Sequence, residues 1–293
     1  MGKISDAFER RKREGPLRPE PLYGTSQGTQ VIEDKEVIAA EDFCVTHMCS
    51  PKVVVLSSPH SVDAEMFRLL RAQILYARRP VRMRTIMITS ALPGEGKSYV
   101  ASNLAVSLAL GMGKHVLAID GDLRMANLHE LLGVPNKKGV YEYLKGKGLL
   151  QDMISRTEIE NLSILPAGNV PPDTAEHFTS ERIEEFLKEV DSHFQGQYLL
   201  LDSPPVHITS ETRMIAEHVD AIVFVVRAQK SPREEIKKCI ESLGKDKILG
   251  VVFNGYSQVR KKYYRKYYEG SYKKKRIGTG GDLTTSALPD HHP

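Results

Sequence analysis

Cysteine is scarce in this 293-residue chain, which has only Cys44, Cys49 and Cys239. They form no even set and no CxxC spacing, so neither a disulfide framework nor a cysteine zinc site is indicated, and reduced, structural thiols are expected. The ten histidines include a terminal pair, His291 and His292, but no HxxH or HExxH spacing, which argues against a histidine-based metal centre. No apolar run reaches the roughly 18 residues that a membrane span needs. The opening MGKISDAFERRKREG has no apolar signal-peptide core, and Asp6 stands where N-myristoylation wants Ser or Thr. The expectation is a cytoplasmic protein that reaches a membrane only through a partner or a charged surface.

Acidic and basic residues nearly balance, with a formal charge of +4. The balance is uneven along the chain. The segment RKKYYRKYYEGSYKKKR, residues 260–276, holds nine Lys/Arg against one Glu, so its +8 leaves the remainder at −4. Five tyrosines stand inside that positive charge: Tyr263, Tyr264, Tyr267, Tyr268 and Tyr272. Interleaved basic and aromatic residues suit anionic lipid or single-stranded nucleic acid, and a solvated tail with no role is the bland alternative.

Residues 1–14 have the pattern of a short charged helix, and GPLRPEPLYGTSQGTQ reads as a linker. Over 63–78, DAEMFRLLRAQILYAR places Phe67, Leu70, Ile74 and Leu75 at helical spacing. Six apolar runs then alternate with helical stretches: 85–89, 115–119, 162–165, 198–201, 221–226 and 248–253. Continuous apolar strands separated by helices predict an α/β fold with a parallel sheet covered on both faces. Ser231, Pro232 and Glu234 predict a helix start by N-cap, first-turn proline and capping box. Past Gly255 the pattern stops. The expected organisation is an extension and linker over 1–50, a folded domain over 51–256, and a flexible tail over 257–293.

After the run TIMIT comes SALPGEGKSYVASNLAVSLA, a strand, a glycine-rich turn and a helix opening on Lys-Ser. In this context the turn reads as a phosphate-binding loop. Gly94 and Gly96 let backbone N–H groups approach phosphate oxygens, Lys97 neutralises the outer phosphates, and Ser98 can ligate Mg²⁺. Ala91 replaces the usual first glycine, which makes this a deviant Walker loop. HVLAIDGDLR and QYLLLDSPPV place Asp120, Asp122 and Asp202 at strand C-termini, where ligands of open α/β sheets bind. An Asp ending a strand is more often a turn or cap residue, but the loop upstream reverses that weighting.

Taken in order, ALPGEGKS, VLAIDGDLR and YLLLDSPPV resemble the three Walker-type motifs of the bacterial tyrosine autokinases of exopolysaccharide and capsule synthesis. GVYEYLKG, LPAGNVPPDTAE and VVRAQKSPREEI resemble further signatures of that family, over about residues 51–276. The resemblance implies a P-loop NTPase fold that uses ATP and Mg²⁺. It implies Lys97, Asp120 and Asp122 as catalytic, with Asp120 as base for the tyrosine. Nucleotide binding falls to Gly94, Glu95, Gly96, Lys97, Ser98, Tyr99 and Asn254, and metal binding to Ser98, Asp122 and Asp202. The family's acidic position after the third motif corresponds to Ser210, with Glu211 next. Tyr263, Tyr264, Tyr267, Tyr268 and Tyr272 become autophosphorylation sites, with Tyr256 as a further candidate, while Tyr141 and Tyr143 are expected to pack in the fold. Glu65, Arg68 and Arg71 fit an E-x-x-R-x-x-R pattern that joins subunits into a ring, although a solvated helix face is the commoner fate of such charges. Implied partners are a separate transmembrane polysaccharide chain-length (co-polymerase) protein as activator, further copies of the chain, and a cognate tyrosine phosphatase. No nucleic acid is expected. The competing class is the partition and septum-site ATPases, nucleotide-dependent binding switches on the same fold. Their second loop lysine is here Leu92.

Overall fold

The computed structural model describes residues 49–77, 83–171, 179–209 and 211–256. These belong to one unit of the chain, Val45–Pro293. The expectations for residues 1–48, Cys44 and the tail tyrosines Tyr263, Tyr264, Tyr267, Tyr268 and Tyr272 lie outside the described residues.

Each of the six apolar runs forms a strand: β1 (Thr85–Ser90), β2 (Val116–Asp120), β4 (Leu162–Leu165), β5 (Tyr198–Asp202), β6 (Ala221–Arg227) and β7 (Ile248–Asn254). The other strand, β3 (Ser155–Arg156), is a polar pair with no apolar run to announce it. The sheet order is β3-β4-β2-β5-β1-β6-β7. Neighbours run parallel except β3, which is antiparallel to β4. Every residue of β1, β2 and β5 is buried, which is why these runs are apolar throughout instead of alternating. The outermost strand, β7, leaves Val251 and Phe253 exposed.

The helices are α1 (Val54–Ser57), α2 (Val62–Leu75), α3 (Lys97–Met112), α4 (Leu128–Leu132), α5 (Val140–Leu144), α6 (Ser180–His193), α7 (Glu211–His218) and α8 (Arg233–Leu243). They divide between two cores. Ile86, Ile88, Ala118, Leu200 and Val223 face α2, α3 and α4. Their strand neighbours Met87, Leu117, Leu199 and Phe224 face α5 to α8 on the other side, as the two-residue period of a strand requires. Tyr141 is buried, and the ring of Tyr143 lies 5.3 Å from that of Phe186, so both pack within the fold. Cys49 and Cys239 are free thiols, and Cys239 is buried.

The central helix, α3, is apolar nearly all round because it lies between the sheet and α2. Val100, Leu104, Ala105, Val106 and Leu108 are completely buried. Asn103 ties α1 to it, accepting from the Val55 N–H at 3.2 Å and donating to the Lys52 carbonyl at 3.1 Å. Arg71 of α2 donates to the Ser107 carbonyl at 2.7 Å. Its guanidinium lies over Gly111, where a Cβ would stand 1.9 Å from Nη1. The expected start of α8 shifts by one residue: Pro232 is the N-cap and no side chain caps the helix. The reason is local competition, since the Ser231 hydroxyl instead bonds the Glu95 carboxylate.

Packing this tight makes the centre of α3 intolerant of cavities. Leu104→Ala is expected to lower stability by about 2–5 kcal/mol in urea unfolding. Leu110→Ala, at a 56 % exposed position of the same helix, is expected to change it by about 0.5 kcal/mol or less.

Candidate active site

Strand β1 runs into the loop Ala91–Gly96, and α3 opens directly on Lys97. Gly96 is the N-cap, with φ +96°. A Cβ there would meet the Asn254 amide nitrogen at 2.0 Å, so glycine is required by the fold itself, whatever the loop binds. The topology places β5 between β1 and β2, which brings Asp202 beside the start of the loop and beside Asp120. Asp120 and Asp202 are paired in register across β2 and β5. The Gly121 N–H donates to the Asp202 carbonyl at 2.8 Å and joins the two strand ends.

Lys97 and Asp122 are both buried and form an ion pair at 3.5 Å. Asp120 and Asp202 are fully buried. Asp120 Oδ2 accepts from the Leu128 N–H at the start of α4 at 3.0 Å. Its Oδ1 and both oxygens of Asp202 have no hydrogen-bond partner of normal geometry among the described residues. Burial holds the Asp120 carboxyl well above the usual carboxylate range, the neighbouring Asp202 charge raises it further, and the Leu128 N–H partly offsets both. Burial likewise pushes Asp202 up to about 7, opposed by the Lys97 ammonium and by the Ser98 hydroxyl, close enough to favour the anion.

The two Asp202 oxygens are hard donors, and with the Ser98 hydroxyl they fit Mg²⁺, while Asp120 Oδ1 keeps a lone pair for a proton. Among the described residues no three acidic, histidine or cysteine side chains form a cage by themselves. An ion here therefore needs phosphate oxygens and water to complete its shell, the usual arrangement for Mg²⁺ beside a nucleotide.

The structure thus brings together Lys97, Ser98, Asp120, Asp122 and Asp202. It directs other candidate side chains elsewhere. The ring of Tyr99 packs edge-on to Phe67 of α2, with centroids 5.7 Å apart. The Glu95 carboxylate is buried against the β6–α8 turn, accepting from the Arg227 N–H at 3.1 Å. Asn254, ending β7, donates to the Glu95 carbonyl at 2.8 Å. The Glu95 carboxylate is thereby committed to the β6–α8 turn and the Tyr99 ring to α2. Glu211 opens α7 and, with Leu123, Val140, Phe186 and Ile215, lines an apolar pocket beside Gly121.

On α2, Glu65 and Arg68 pair at 2.7 Å, and Arg68 also donates to the Pro59 carbonyl at 2.5 Å. With Arg71 held to Ser107, all three residues of the E-x-x-R-x-x-R pattern have contacts within their own subunit. Sequence reasoning missed Arg227, Lys230 and Ser231, which reach the loop from the end of β6. The available signal was their place just past a strand C-terminus, as with Asp120 and Asp202.

Residues 83–245 match the family described as AAA domain. The chain is 33 % identical over 205 residues to the tyrosine-protein kinase YwqD of Bacillus subtilis, covering 69 % of this chain and 85 % of that protein. Among solved structures it is similar to the chimerical protein CapA2B2, at 31 % identity and TM-score 0.64, covering 72 % of this chain and 93 % of the other. The septum-site determining protein MinD of Pyrococcus horikoshii, solved with Mg-ADP, is similar at 31 % identity and TM-score 0.52, covering 61 % and 72 %.

The buried carboxyls carry a pH signature. An unfolded Asp releases its proton near pH 4, whereas folded Asp202 keeps it to about 7. Between those values the folded state binds more protons, so this group's contribution to stability is full at low pH and is lost as pH rises through the window. Asp202→Asn removes the titration. Without metal or nucleotide, the thermal midpoint of the variant should gain on the wild type as pH rises from about 4 to about 7. A gap that stays constant with pH would contradict the buried, protonated assignment.

Proposed function

Since the chain belongs to the bacterial protein-tyrosine kinases and is a tyrosine kinase of the kind found in capsule and exopolysaccharide synthesis, we propose that it phosphorylates its own C-terminal tyrosines in trans. The acceptors are Tyr263, Tyr264, Tyr267, Tyr268 and Tyr272 of a neighbouring copy in a ring, and the reaction regulates polysaccharide synthesis or export. One observation carries this reading: the buried, in-register pair Asp120/Asp202 beside the Lys97/Asp122 ion pair, in a chain whose sequence continues into a basic segment of five tyrosines.

Each group then has a role. Lys97 and the loop N–H groups hold the ATP phosphates. Ser98, Asp122 and Asp202 would hold Mg²⁺, which would supply positive charge to offset that developing on the phosphates. Asp120, whose carboxyl is kept protonated by burial until positive charge is brought beside it, would then be the base that takes the phenolic proton. The tyrosine oxygen forms a bond to the γ-phosphorus as the bond to the ADP oxygen breaks. Five phosphates would add roughly −7 to −10 to a segment of charge +8, cancelling or reversing its charge, which weakens its attraction to the acidic site and favours release of the ring.

The neighbour in that ring meets the outer face of α2. Beside the Glu65–Arg68 pair it leaves Met66 37 % and Leu69 45 % exposed. Arg71, bonded within its own subunit, acts by holding α2 on α3. A separate transmembrane chain-length protein activates the kinase and recruits it to the inner face of the membrane, and a tyrosine phosphatase resets it.

The likeness to MinD supports a second reading, a nucleotide-dependent binding switch, against which stands Leu92 at the position of the second lysine. The two readings separate by mass spectrometry after incubation with ATP and Mg²⁺. Phosphotyrosine is expected within residues 263–272 and absent from Lys97→Met; hydrolysis without tail phosphate, even with an activator added, would favour the switch. The ring is tested by sedimentation. Arg68→Ala with Leu69→Ser should leave nucleotide binding intact and give monomers, while a persistent oligomer would reject this interface.

A further inference from the structure

We propose that Glu95, Arg227, Lys230 and Ser231, together with Asn254, are positioning residues: a clamp between the phosphate-binding loop and the ends of β6 and β7 that aims the N–H groups of Gly94, Glu95 and Gly96. The inference rests on nucleotide binding at this loop and not on what receives the phosphate.

Three successive loop carbonyls are occupied from one side. Lys230 Nζ donates to the Pro93 carbonyl at 2.5 Å, Arg227 Nη1 to the Gly94 carbonyl at 3.0 Å, and Asn254 Nδ2 to the Glu95 carbonyl at 2.8 Å. In a planar trans peptide the C=O and the following N–H point in opposite directions. Fixing the carbonyls of residues 93, 94 and 95 outward therefore fixes the N–H groups of residues 94, 95 and 96 inward. Among the described residues none of these three N–H groups has a protein acceptor. A run of backbone donors aimed to one side is what an anion-binding nest consists of.

The Glu95 side chain holds the clamp in place. It is completely buried, and its carboxylate takes three donors: the Leu92 N–H at 2.8 Å, the Arg227 N–H at 3.1 Å, and the Ser231 hydroxyl. Two of these come from the β6–α8 turn and one from the loop, so a single anion fastens the two segments together. A buried carboxylate is tolerated only with such donors, and bonds to an ionised acceptor are the stronger kind. Gln229, at φ +60°, turns the chain so that Arg227 and Lys230 reach the loop together. Asn254 is oriented in turn by the Gly255 N–H, which donates to its Oδ1 at 2.8 Å.

The sign of one substitution separates positioning from charge. Glu95→Gln removes a negative charge near the phosphates, which by Coulomb attraction alone would tighten binding of an anion. It also sets an amide NH₂ against one of the three donors and loosens the clamp. The test is the dissociation constant of MgADP by calorimetry on the full chain, with thermal midpoints measured without nucleotide. Glu95→Gln is expected to bind about tenfold more weakly, through misdirected N–H groups. Ser231→Ala, which changes no charge, should weaken binding by a smaller factor. Folded Glu95→Gln with unchanged or tighter affinity would overturn the clamp, as would a lowered midpoint with affinity intact. If Glu95→Gln does not fold, unchanged affinity in Ser231→Ala overturns it. Wild-type protein that binds MgADP but places no phosphate on its tail would leave the clamp standing and remove the autokinase reading.

Discussion

Asp120 and Asp202 end neighbouring strands in register and lie wholly out of water, an arrangement that two carboxyls tolerate only with protons retained or positive charge alongside. The fold supplies that charge at one point, the first turn of α3, where Lys97 is buried with Asp122. The phosphate-binding loop, the order of the strands and the burial of α3 all bear on this. With β5 between β1 and β2, the lysine that follows β1 and the acids that end β2 and β5 converge at one edge. In the proposed kinase, a metal ion would complete the charge balance that the protein alone leaves open.

The same economy governs the loop. Its backbone donors face one way because its carbonyls are taken from the other, by side chains at the ends of β6 and β7. The glycines of such a loop are usually explained by approach of the ligand; here the +96° φ of Gly96 and the Asn254 amide against it also favour glycine. The site is therefore assembled from four parallel strand ends and from the loop after β1. The cores on either face of the sheet keep those ends in register.

Much of this was legible in the sequence. The apolar runs marked six strands because strands buried on both faces carry no alternation, and TIMIT followed by PGEGKS marked the loop because glycine and lysine fall just where a strand meets a helix. Strand β3 was not legible, since Ser155 and Arg156 are polar and their pairing with β4 comes from position in space. Ser231 was misread as a helix cap: the SPxE pattern is a local rule, and the carboxylate that took its hydroxyl lies 136 residues away. That the Glu95 carboxylate packs on the β6–α8 turn and the Tyr99 ring on α2 was likewise not legible, because both partners are distant in sequence.

The sequence by itself determined the strands, the chemical types at their ends and the phosphate-binding turn, because these depend on burial period and on local backbone freedom. Only the tertiary structure decided which acids meet, which have their proton affinity raised, and which side chains hold the loop carbonyls. Those depend on strand order and on contacts across more than a hundred residues, where desolvation and distance, not residue type, determine the outcome.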